Sequence, residues 1–494
     1  MYFLGIDVGT SSIKASIVDA DSQQVVASAQ YPDSEAAISS PQAGWAEQAP
    51  EMWWENTVHA IKRLIATGKF NVKEVAAIGI SYQMHGLVML DKNRKVLRPA
   101  IIWCDSRAVA IGEAAFKRIG EQKALSHLLN SPGNFTASKL AWVKANEPEI
   151  YAACNQIMLP GDYISMRLTE QITTSASSLS EGIFWDFKTN TVSADVMAYY
   201  GFEASLLPPV QPVFSNHGEI SSEISTLFGF KKGISVCYKA GDQPNNALSL
   251  NVLDAGEIAA TAGTSGVIYA VSDKVAYDSA SRVNTFAHVG HSAINTSLGI
   301  LLCINGTGIL NAWVKRTAGA GLTYAAMNAA AAKVAIGSDG LVMMPFGNGA
   351  ERLLQNKTLG ASMHHLNLNT HQNAHIFRAA QEGIAFAMQY GFEVMKGMGV
   401  QPSVIRAGQA NLFLSEVFQE AIVNTTGVAV ELYDTDGAKG AALGAGIGMK
   451  FFAQPKEAFL KLKKLAAIEP EKYKAEAYQI AYSVWLKVLE GAMG

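Results

Sequence analysis

The stretch that decides the fold runs from Leu4 to Asp19 and reads Leu-Gly-Ile-Asp-Val-Gly-Thr-Ser-Ser-Ile-Lys-Ala-Ser-Ile-Val-Asp. Two short apolar runs, residues 2–6 and 13–18, flank the polar turn Gly-Thr-Ser-Ser at 9–12. This pattern predicts a β-hairpin with a longer, glycine-bearing loop. The loop offers backbone N–H groups and three hydroxyls without a bulky side chain, a composition that suits it to cradle a phosphate.

Two charged residues flank this loop. Asp7 ends the first strand, where a carboxylate is well placed to hold a hydrated Mg²⁺, and Lys14 adds positive charge nearby. The structural alternative is an ordinary hairpin in which Asp7 and Ser11 only cap the turn, because short glycine motifs recur by chance. A second stretch favours phosphate binding, since residues 255–273 again run from an apolar strand through Gly-Thr-Ser-Gly into another apolar strand. This duplicated device predicts two related domains that close on one nucleotide from opposite sides.

Composition limits the classes of function. The chain has 494 residues, of which 49% are hydrophobic and 16% charged, enough for two large or three average domains with large cores. The net charge of −3 and the lack of a Lys/Arg cluster argue against a nucleic-acid partner. No signal peptide and no membrane span are expected. The four cysteines are widely spaced, which predicts reduced thiols in a cytoplasmic α/β protein.

Further along, apolar strand patterns alternate with helical periodicity. A buried strand over 75–81 leads into Tyr-Gln-Met-His-Gly at 82–86, and a strand over 100–103 leads into Cys-Asp-Ser-Arg at 104–107. Ligands in open α/β sheets bind beyond the carboxyl ends of strands, so both exits are expected to face a ligand. A long core helix is predicted over Asn373–Gly397, and Gly437–Gly448 is expected to begin a glycine- and alanine-rich helix.

From Tyr2 to about Lys450 the chain resembles the FGGY family of carbohydrate kinases. The resemblance rests on the two glycine loops and on the segments 136–142, 239–246 and 408–411. It implies an α/β fold of two duplicated actin-like domains of the ribonuclease H-like, sugar kinase/Hsp70/actin type, with an interdomain cleft. We expect a sugar-binding domain with the catalytic base at 1–252, an ATP-binding domain at 253–450, and a peripheral helical tail at 451–494.

The resemblance assigns the general base to Asp242. A kinase must remove a proton from an alcohol, and a carboxylate can take it late, once phosphoryl transfer has acidified the hydroxyl. The structural alternative is an Asp that caps the helix from Pro244 onward. Gln243 follows Asp242, where family members that act on xylulose often carry Asn and members that act on glycerol carry Gln.

For the sugar, Met84 and His85 match the substrate motif of the members that act on xylulose. The His is expected to donate to sugar hydroxyls and the Met to form an apolar wall. The resemblance therefore implies D-xylulose as substrate and its 5-phosphate as product. Another ketose or polyol, such as ribulose or glycerol, stays an alternative, as does a non-catalytic sugar or nucleotide sensor. The residues expected at the sugar are Met84, His85, Trp103, Asp105 and Gln243, with Arg107 and Asp162 as weaker candidates.

For the nucleotide, the resemblance implies ATP with Mg²⁺, with Asp7 as the metal ligand. The residues expected to bind ATP are Thr10, Ser11, Lys14, Gly263, Thr264, Gly308, Ala312, Gly408 and Asn411. The loop at 408–411 lacks the second glycine of the family pattern, so Asn411 could instead cap a helix. A homodimer is expected from the family.

Two other interpretations fail on the sequence. No Walker A pattern is present, which argues against a P-loop kinase. The four histidines between 364 and 375 invite a zinc interpretation, but no Cys or Glu stands nearby at metal-ligand spacing.

Overall fold

The computed structural model describes all 494 residues. We call residues 1–252 the first half and residues 253–494 the second half. The helices and strands of the first half are β1 (Tyr2–Val8), β2 (Ile13–Asp19), β3 (Val25–Tyr31), β4 (Glu47–Gln48), α1 (Pro50–Ala66), β5 (Val75–Tyr82), β6 (Val88–Leu90), β7 (Ala100–Ile101), α2 (Val109–Ile119), α3 (Glu121–Leu128), α4 (Thr136–Asn146), α5 (Pro148–Ala153), β8 (Gln156–Met158), α6 (Pro160–Thr169), α7 (Ala176–Glu181), β9 (Trp185–Asp186), β10 (Thr191–Val192), α8 (Ala194–Tyr200), α9 (Ser222–Phe228), β11 (Ser235–Gly241) and α10 (Asp242–Ser249).

The first half is built on a five-stranded sheet with the order β11-β5-β1-β2-β3. Strands β1 and β2 form the predicted antiparallel hairpin, with Asp7 opposite Lys14. Strands β1, β5 and β11 run parallel, so their carboxyl ends meet at one edge of the sheet. These strands read as nearly continuous apolar runs because helices cover the sheet.

The second half contains β12 (Glu257–Ala262), β13 (Gly266–Ser272), β14 (Asn284–Ala287), β15 (Leu298–Ile304), α11 (Gly308–Thr317), α12 (Tyr324–Ala331), β16 (Val342–Met344), β17 (Ser362–His364), α13 (Asn373–Gly397), β18 (Val404–Gly408), α14 (Glu416–Thr426), β19 (Val430–Tyr433), α15 (Gly437–Gly448), β20 (Lys464–Ile468) and α16 (Lys472–Met493). Helix α13 begins and ends at the predicted residues. None of the helices in the chain is both long and apolar enough to cross a membrane.

The second sheet has the order β14-β15-β13-β12-β18-β19-β20. Its middle repeats the first sheet strand for strand, because an antiparallel hairpin (β12 and β13) is again flanked on one side by two parallel strands, β18 and β19. On the other side β15 pairs antiparallel with β13, as β3 pairs with β2. This confirms the duplication inferred from the two glycine loops.

Helix α15 belongs to the second half in sequence, but it lies on the first sheet. A Cβ atom added to Gly5 would lie 1.8 Å from the carbonyl oxygen of Ala438, and one added to Gly79 would lie 1.9 Å from that of Ala441. No side chain fits at either position, so the helix backbone and the strand backbones are in direct contact. The glycines of β1 and β5 therefore allow the second half to dock on the first.

Residues 451–494, expected to form a peripheral helical tail, contain helix α16 and also a strand, and both pack on the second half. Strand β20 pairs antiparallel with β19 at the edge of the second sheet. Helix α16 buries Tyr478 and Trp485, and the Trp485 Nε1–H donates to the carbonyl oxygen of Met343 at 3.1 Å. The charged residues of this helix, such as Lys487 and Glu490, face outward, which explains why composition alone suggested a surface segment.

We expect Gly79→Ala to lower the free energy of unfolding by about 1–3 kcal/mol or more, because the new methyl group must push α15 away from the sheet. Gly397→Ala is the matched control, since a Cβ atom there meets no atom within 4 Å. That control should change the stability by less than about 1 kcal/mol. Urea unfolding followed by far-UV circular dichroism measures both. An unchanged midpoint for Gly79→Ala would contradict the backbone contact.

Candidate active site

Three polar side chains meet where the parallel strands of the first sheet end. Asp7 lies next to the end of β1, Gln83 directly follows β5, and Asp242 directly follows β11. The hairpin loop reaches the same edge, because the Thr10 Oγ1 hydroxyl donates to the Gln83 Oε1 at 3.1 Å. The Trp103 Nε1–H in turn donates to Thr10 Oγ1 at 3.0 Å. The topology therefore brings together residues that lie more than 200 positions apart in the sequence.

Two of these groups are half-buried carboxylates with raised pKa values. The pKa of Asp242 is raised to about 7, mainly by burial and in smaller part by the negative charge of Asp7. Burial also raises the pKa of Asp7, to which the charge of Asp436 contributes, while Lys14 opposes the shift. A carboxylate that titrates near neutrality at the bottom of a cleft is suited to accept a proton.

Asp242 is not a helix cap. Helix α10 begins at Asp242 itself, and its N-cap residue is Gly241. The capping alternative therefore does not account for this carboxylate. Its desolvation costs folding free energy that no cap hydrogen bond offsets.

A cavity of about 350 Å³ opens in front of Asp242, and we call it the Asp242 cavity. It brings together Met84, His85, Trp103 and Gln243, four of the five residues expected at the sugar. Its other lining residues are Asn134, Phe135, Ser265, Val267, Asn284, Leu301, Cys303 and Arg352. The walls therefore come from both halves of the chain.

The tautomer of His85 is set by its contacts. Its Nδ1 lies 2.9 Å from the carbonyl oxygen of Glu181, and because a carbonyl oxygen only accepts, Nδ1 must carry the hydrogen. Burial lowers the pKa of His85 to about 3, so the ring is neutral and Nε2 is an acceptor. The sequence predicted that His85 donates to a hydroxyl. In the structure the free ring nitrogen, Nε2, can only accept a hydrogen bond from a hydroxyl.

Two buried residues that the sequence analysis did not assign hold His85 in place. Its backbone N–H donates to Glu181 Oε2 at 2.9 Å, and its backbone carbonyl oxygen accepts from Lys139 Nζ at 2.8 Å. These bonds fix a left-handed backbone with φ of 63° at His85. Burial lowers the pKa of Lys139 to about 7. Lys139 lies in the segment 136–142, which carries the family resemblance, so this motif could have indicated Lys139 as a site residue.

The remaining acidic candidates lie outside the cavity. Asp105, expected at the sugar, is buried where its carboxylate accepts from the Arg107 guanidinium at 2.7 Å and from the Ala46 N–H at 2.6 Å. Asp162 forms a buried ion pair with Lys239 at 2.6 Å. Both carboxylates are paired with cations of the first half, and neither Asp105 nor Asp162 lines the cavity.

A second cavity of about 580 Å³, which we call the Gly308 cavity, lies at the start of α11. It brings together five of the predicted nucleotide residues: Gly263, Thr264, Gly308, Ala312 and Asn411. The Gly308 N–H donates to the Gly263 carbonyl oxygen at 2.9 Å, and a Cβ atom on Gly308 would lie 2.3 Å from that oxygen. Tyr324, Asn328, Leu414 and Ser415 also line this cavity, and no sequence motif indicated them.

The other predicted nucleotide residues, Thr10, Ser11, Lys14 and Gly408, line neither cavity. Lys14 Nζ pairs with Asp436 at 2.6 Å, and Asp436 caps α15 by accepting from the Lys439 N–H at 2.9 Å. Lys14 thereby connects the hairpin of the first half to α15. Ser11 is exposed in the hairpin loop, and Gly408 ends β18.

The acidic groups fit a magnesium ion that is shared with a phosphate. The chain holds no group of three or more His, Cys, Asp or Glu side chains able to bind a metal by themselves. Mg²⁺ is usually bound through one or two carboxylates together with substrate phosphates, and it keeps several waters. Burial and the negative charge of Asp436 raise the pKa of Asp7, so a cation beside this carboxylate would stabilise its ionised form.

Comparison with known proteins shows similarity across both halves. The model for the N-terminal domain of the FGGY family of carbohydrate kinases matches residues 2–249. The chain is 27% identical to a xylulose kinase of Escherichia coli strain K12, over 97% of this chain and 96% of that one. It is 27% identical to a xylulose kinase of Bacillus subtilis strain 168, over 99% and 96%. The crystal structure of a xylulose kinase from Rhodospirillum rubrum is 25% identical and covers 99% of both chains with a TM-score of 0.89.

The buried Asp242 predicts a stability that depends on pH. The folded protein keeps this proton up to about pH 7, whereas an ordinary Asp releases it near 3.8, so the wild type loses stability as the pH rises between these values. Asp242→Asn removes the charge, and we expect it to raise the melting temperature by about 2–5 °C at pH 8 and by much less at pH 5. Differential scanning fluorimetry measures this, with exposed Asp21→Asn as control. An equal decrease at both pH values would contradict it.

Proposed function

This chain belongs to the FGGY family of carbohydrate kinases, and we propose that it transfers the γ-phosphoryl group of ATP to the C5 hydroxyl of D-xylulose. The product is D-xylulose 5-phosphate. The observation that carries the proposal is the buried Asp242 carboxylate, with a pKa of about 7, which faces a cavity of about 350 Å³. The substrate is supported by the xylulose kinases that match the chain over nearly its full length.

In the proposed reaction Asp242 acts as the general base. Its carboxylate accepts the proton of the C5 hydroxyl while the hydroxyl oxygen attacks the γ-phosphorus and the bond to the bridging oxygen of ADP breaks. A pKa of about 7 leaves a large fraction of Asp242 ionised at neutral pH and makes it a stronger base than an exposed Asp. Its place at the start of α10, directly after β11, keeps the carboxylate in a fixed position.

The rest of the cavity orients the sugar. The free Nε2 of His85 accepts a hydrogen bond from a sugar hydroxyl, and Met84 supplies an apolar wall beside the base. Met84 packs directly over Gly241, where a Cβ atom would lie 2.6 Å from its Cγ. Gln243 and Trp103 complete this side of the cavity, and the buried Gln243 Oε1 has no partner within the protein.

ATP is proposed to occupy the Gly308 cavity. Backbone N–H groups and the hydroxyl of the loop at 263–264 would bind the phosphates, while Gly308 and Ala312 of α11 and Asn411 would face the ribose and the base. Asp7 would hold Mg²⁺ at the junction with the Asp242 cavity. When bound, this ion supplies positive charge to the phosphate oxygens. Gly408, Thr10 and Ser11 are proposed to approach the nucleotide from the edges of the two sheets.

The division of the chain at residues 252 and 253 fits this arrangement. The proposed base and most of the sugar contacts lie in the first half, while the proposed ATP contacts of the Gly308 cavity lie in the second. Closing the halves around both substrates would exclude water, which prevents ATP hydrolysis. The four cysteines are all free thiols, which supports a cytoplasmic location.

One observation favours a different substrate within the family. Gln243 stands beside the base where the members that act on xylulose often carry Asn, so a polyol such as glycerol or another ketose is the second candidate. A non-catalytic sensor is disfavoured because binding alone does not need a buried carboxylate that titrates near neutrality.

The substrate is tested by measuring ADP release with Mg-ATP across D-xylulose, D-ribulose, L-ribulose, L-xylulose and glycerol. We expect the highest kcat/KM on D-xylulose and a decrease of at least about 100-fold in Asp242→Asn. The exposed Asp21→Asn variant should match the wild type. A higher kcat/KM on another alcohol would keep the base and replace the substrate. Sugar binding without turnover in the wild type would favour the sensor.

The base predicts an acid limb in the pH profile of the free enzyme. Because Asp242 must be ionised to accept a proton and its pKa is about 7, kcat/KM should decrease about tenfold per pH unit well below pH 7 and level off above it. Initial rates between pH 5 and 9 at constant ionic strength measure this. A profile that stays flat down to pH 5 would show that another group accepts the proton.

A further inference from the structure

Arg352 is a half-buried cation in the Asp242 cavity without an acidic partner. The only hydrogen bond of its side chain is a long one, from Nη1 to the Ser281 carbonyl oxygen at 3.4 Å. Its guanidinium carbon lies 5.9 Å from the ring centroid of Phe135, another lining residue. Most of its five N–H donors therefore have no acceptor in the protein and are free to bind an oxygen in the cavity.

The backbone that carries Arg352 is held rigidly. Leu353 and Leu354 are fully buried in the core of the second half. Glu351 is also fully buried, and its carboxylate accepts from the Asn305 N–H at 3.0 Å. Asn305 lies three residues before Gly308, where the second cavity begins. The burial of its neighbours therefore fixes the backbone position from which the Arg352 side chain reaches the cavity.

Arg352 lies at the His85 end of the cavity. The His85 ring packs against Phe135 with a centroid distance of 4.8 Å, and the guanidinium lies over the same Phe135 ring. Two amide side chains that line this cavity, Asn134 and Asn284, each have a buried Oδ1 without a partner. Among the residues that line the cavity, Arg352 is the only cation, and its guanidinium can only donate.

We propose that Arg352 determines specificity by donating hydrogen bonds to an oxygen that bears no hydrogen, at the end of the substrate remote from the phosphorylated hydroxyl. The inference rests on the proposed function and deepens it. A ketone carbonyl or a carboxylate has such an oxygen, which only accepts hydrogen bonds. The hydroxyl of a pentitol also accepts from a guanidinium, but it brings a hydrogen that needs a further acceptor in the site, so Arg352 favours the carbonyl or carboxylate oxygen. The class of substrate selected is therefore a ketose or a sugar acid rather than a polyol.

Reducing the ketone tests this directly. Xylitol and D-arabinitol carry a hydroxyl where D-xylulose has its C2 carbonyl, and D-xylonate carries a carboxylate at C1. We expect the wild type to prefer D-xylulose over both pentitols by about 100-fold in kcat/KM, since a mismatched polar group in a closed site is strongly rejected. Arg352→Met should reduce this ratio to below about tenfold, mainly by losing activity on D-xylulose. Arg352→Lys should give an intermediate ratio.

Two controls separate recognition from folding. Exposed Arg94→Met removes a positive charge far from the cavity and should keep the wild-type ratio. The affinity for ATP alone should stay within about twofold of wild type in Arg352→Met if the second half is intact. A variant that loses activity equally on D-xylulose and on the pentitols would overturn the inference, because a merely structural residue affects all substrates alike.

Binding measurements distinguish this inference from the proposed reaction. Isothermal titration with D-xylulose, xylitol and D-xylonate measures the ratio of affinities without turnover. A preference for D-xylulose or D-xylonate that is lost in Arg352→Met supports the role of Arg352, even if the wild type shows no kinase activity. Turnover of D-xylulose together with an unchanged affinity ratio in Arg352→Met would keep the kinase and reject the specificity role. If D-xylonate is the best substrate, the specificity role of Arg352 is supported and D-xylonate replaces D-xylulose as the proposed substrate.

Discussion

The contact between helix α15 and the first sheet is the constraint on which the rest of the structure depends. The helix backbone touches β1 at Gly5 and β5 at Gly79, so α15 is held at a fixed distance from the first sheet that any larger residue would change. The same packing brings Gly437, at the start of α15, so close to Asp7 that a Cβ atom there would lie 2.3 Å from its Oδ2. The ion pair between Lys14 and Asp436 holds this corner together.

This close packing explains the electrostatics of the site. Asp7 and Asp242 are half-buried, and their partial desolvation disfavours the charged form of each and raises its pKa. Burial raises the pKa of Glu181 in the same way, while its carboxylate accepts the backbone N–H of His85. The chain therefore carries several carboxyl groups that weaken the fold at neutral pH. Such an arrangement is typical of a site in which stability is exchanged for reactivity.

The two cavities are connected through one short segment of the second half. Glu351 binds the backbone at Asn305, close to the start of α11, and its neighbour Arg352 projects into the Asp242 cavity. Gly266 and Thr307 pack together behind the same region, where a Cβ atom on the glycine would lie 2.5 Å from Thr307 Oγ1. The start of α11 and Arg352 are therefore linked through the contacts of one short backbone segment.

The sequence by itself determined the duplicated hairpins and the long helix α13, and it singled out Asp242 as a candidate, because each depends on a local pattern of apolar residues, glycines and carboxylates. Tertiary structure decided which polar residues meet. Asp105 has the same local features as a ligand residue, but the path of its loop places it against Arg107 instead. Arg352 shows no local signal beyond a polar segment, because its isolation from acidic partners exists only after both halves have folded together. Local patterns indicate the secondary structure of a chain segment. Desolvation and charge pairing depend instead on the residues that lie next to that segment in the folded protein.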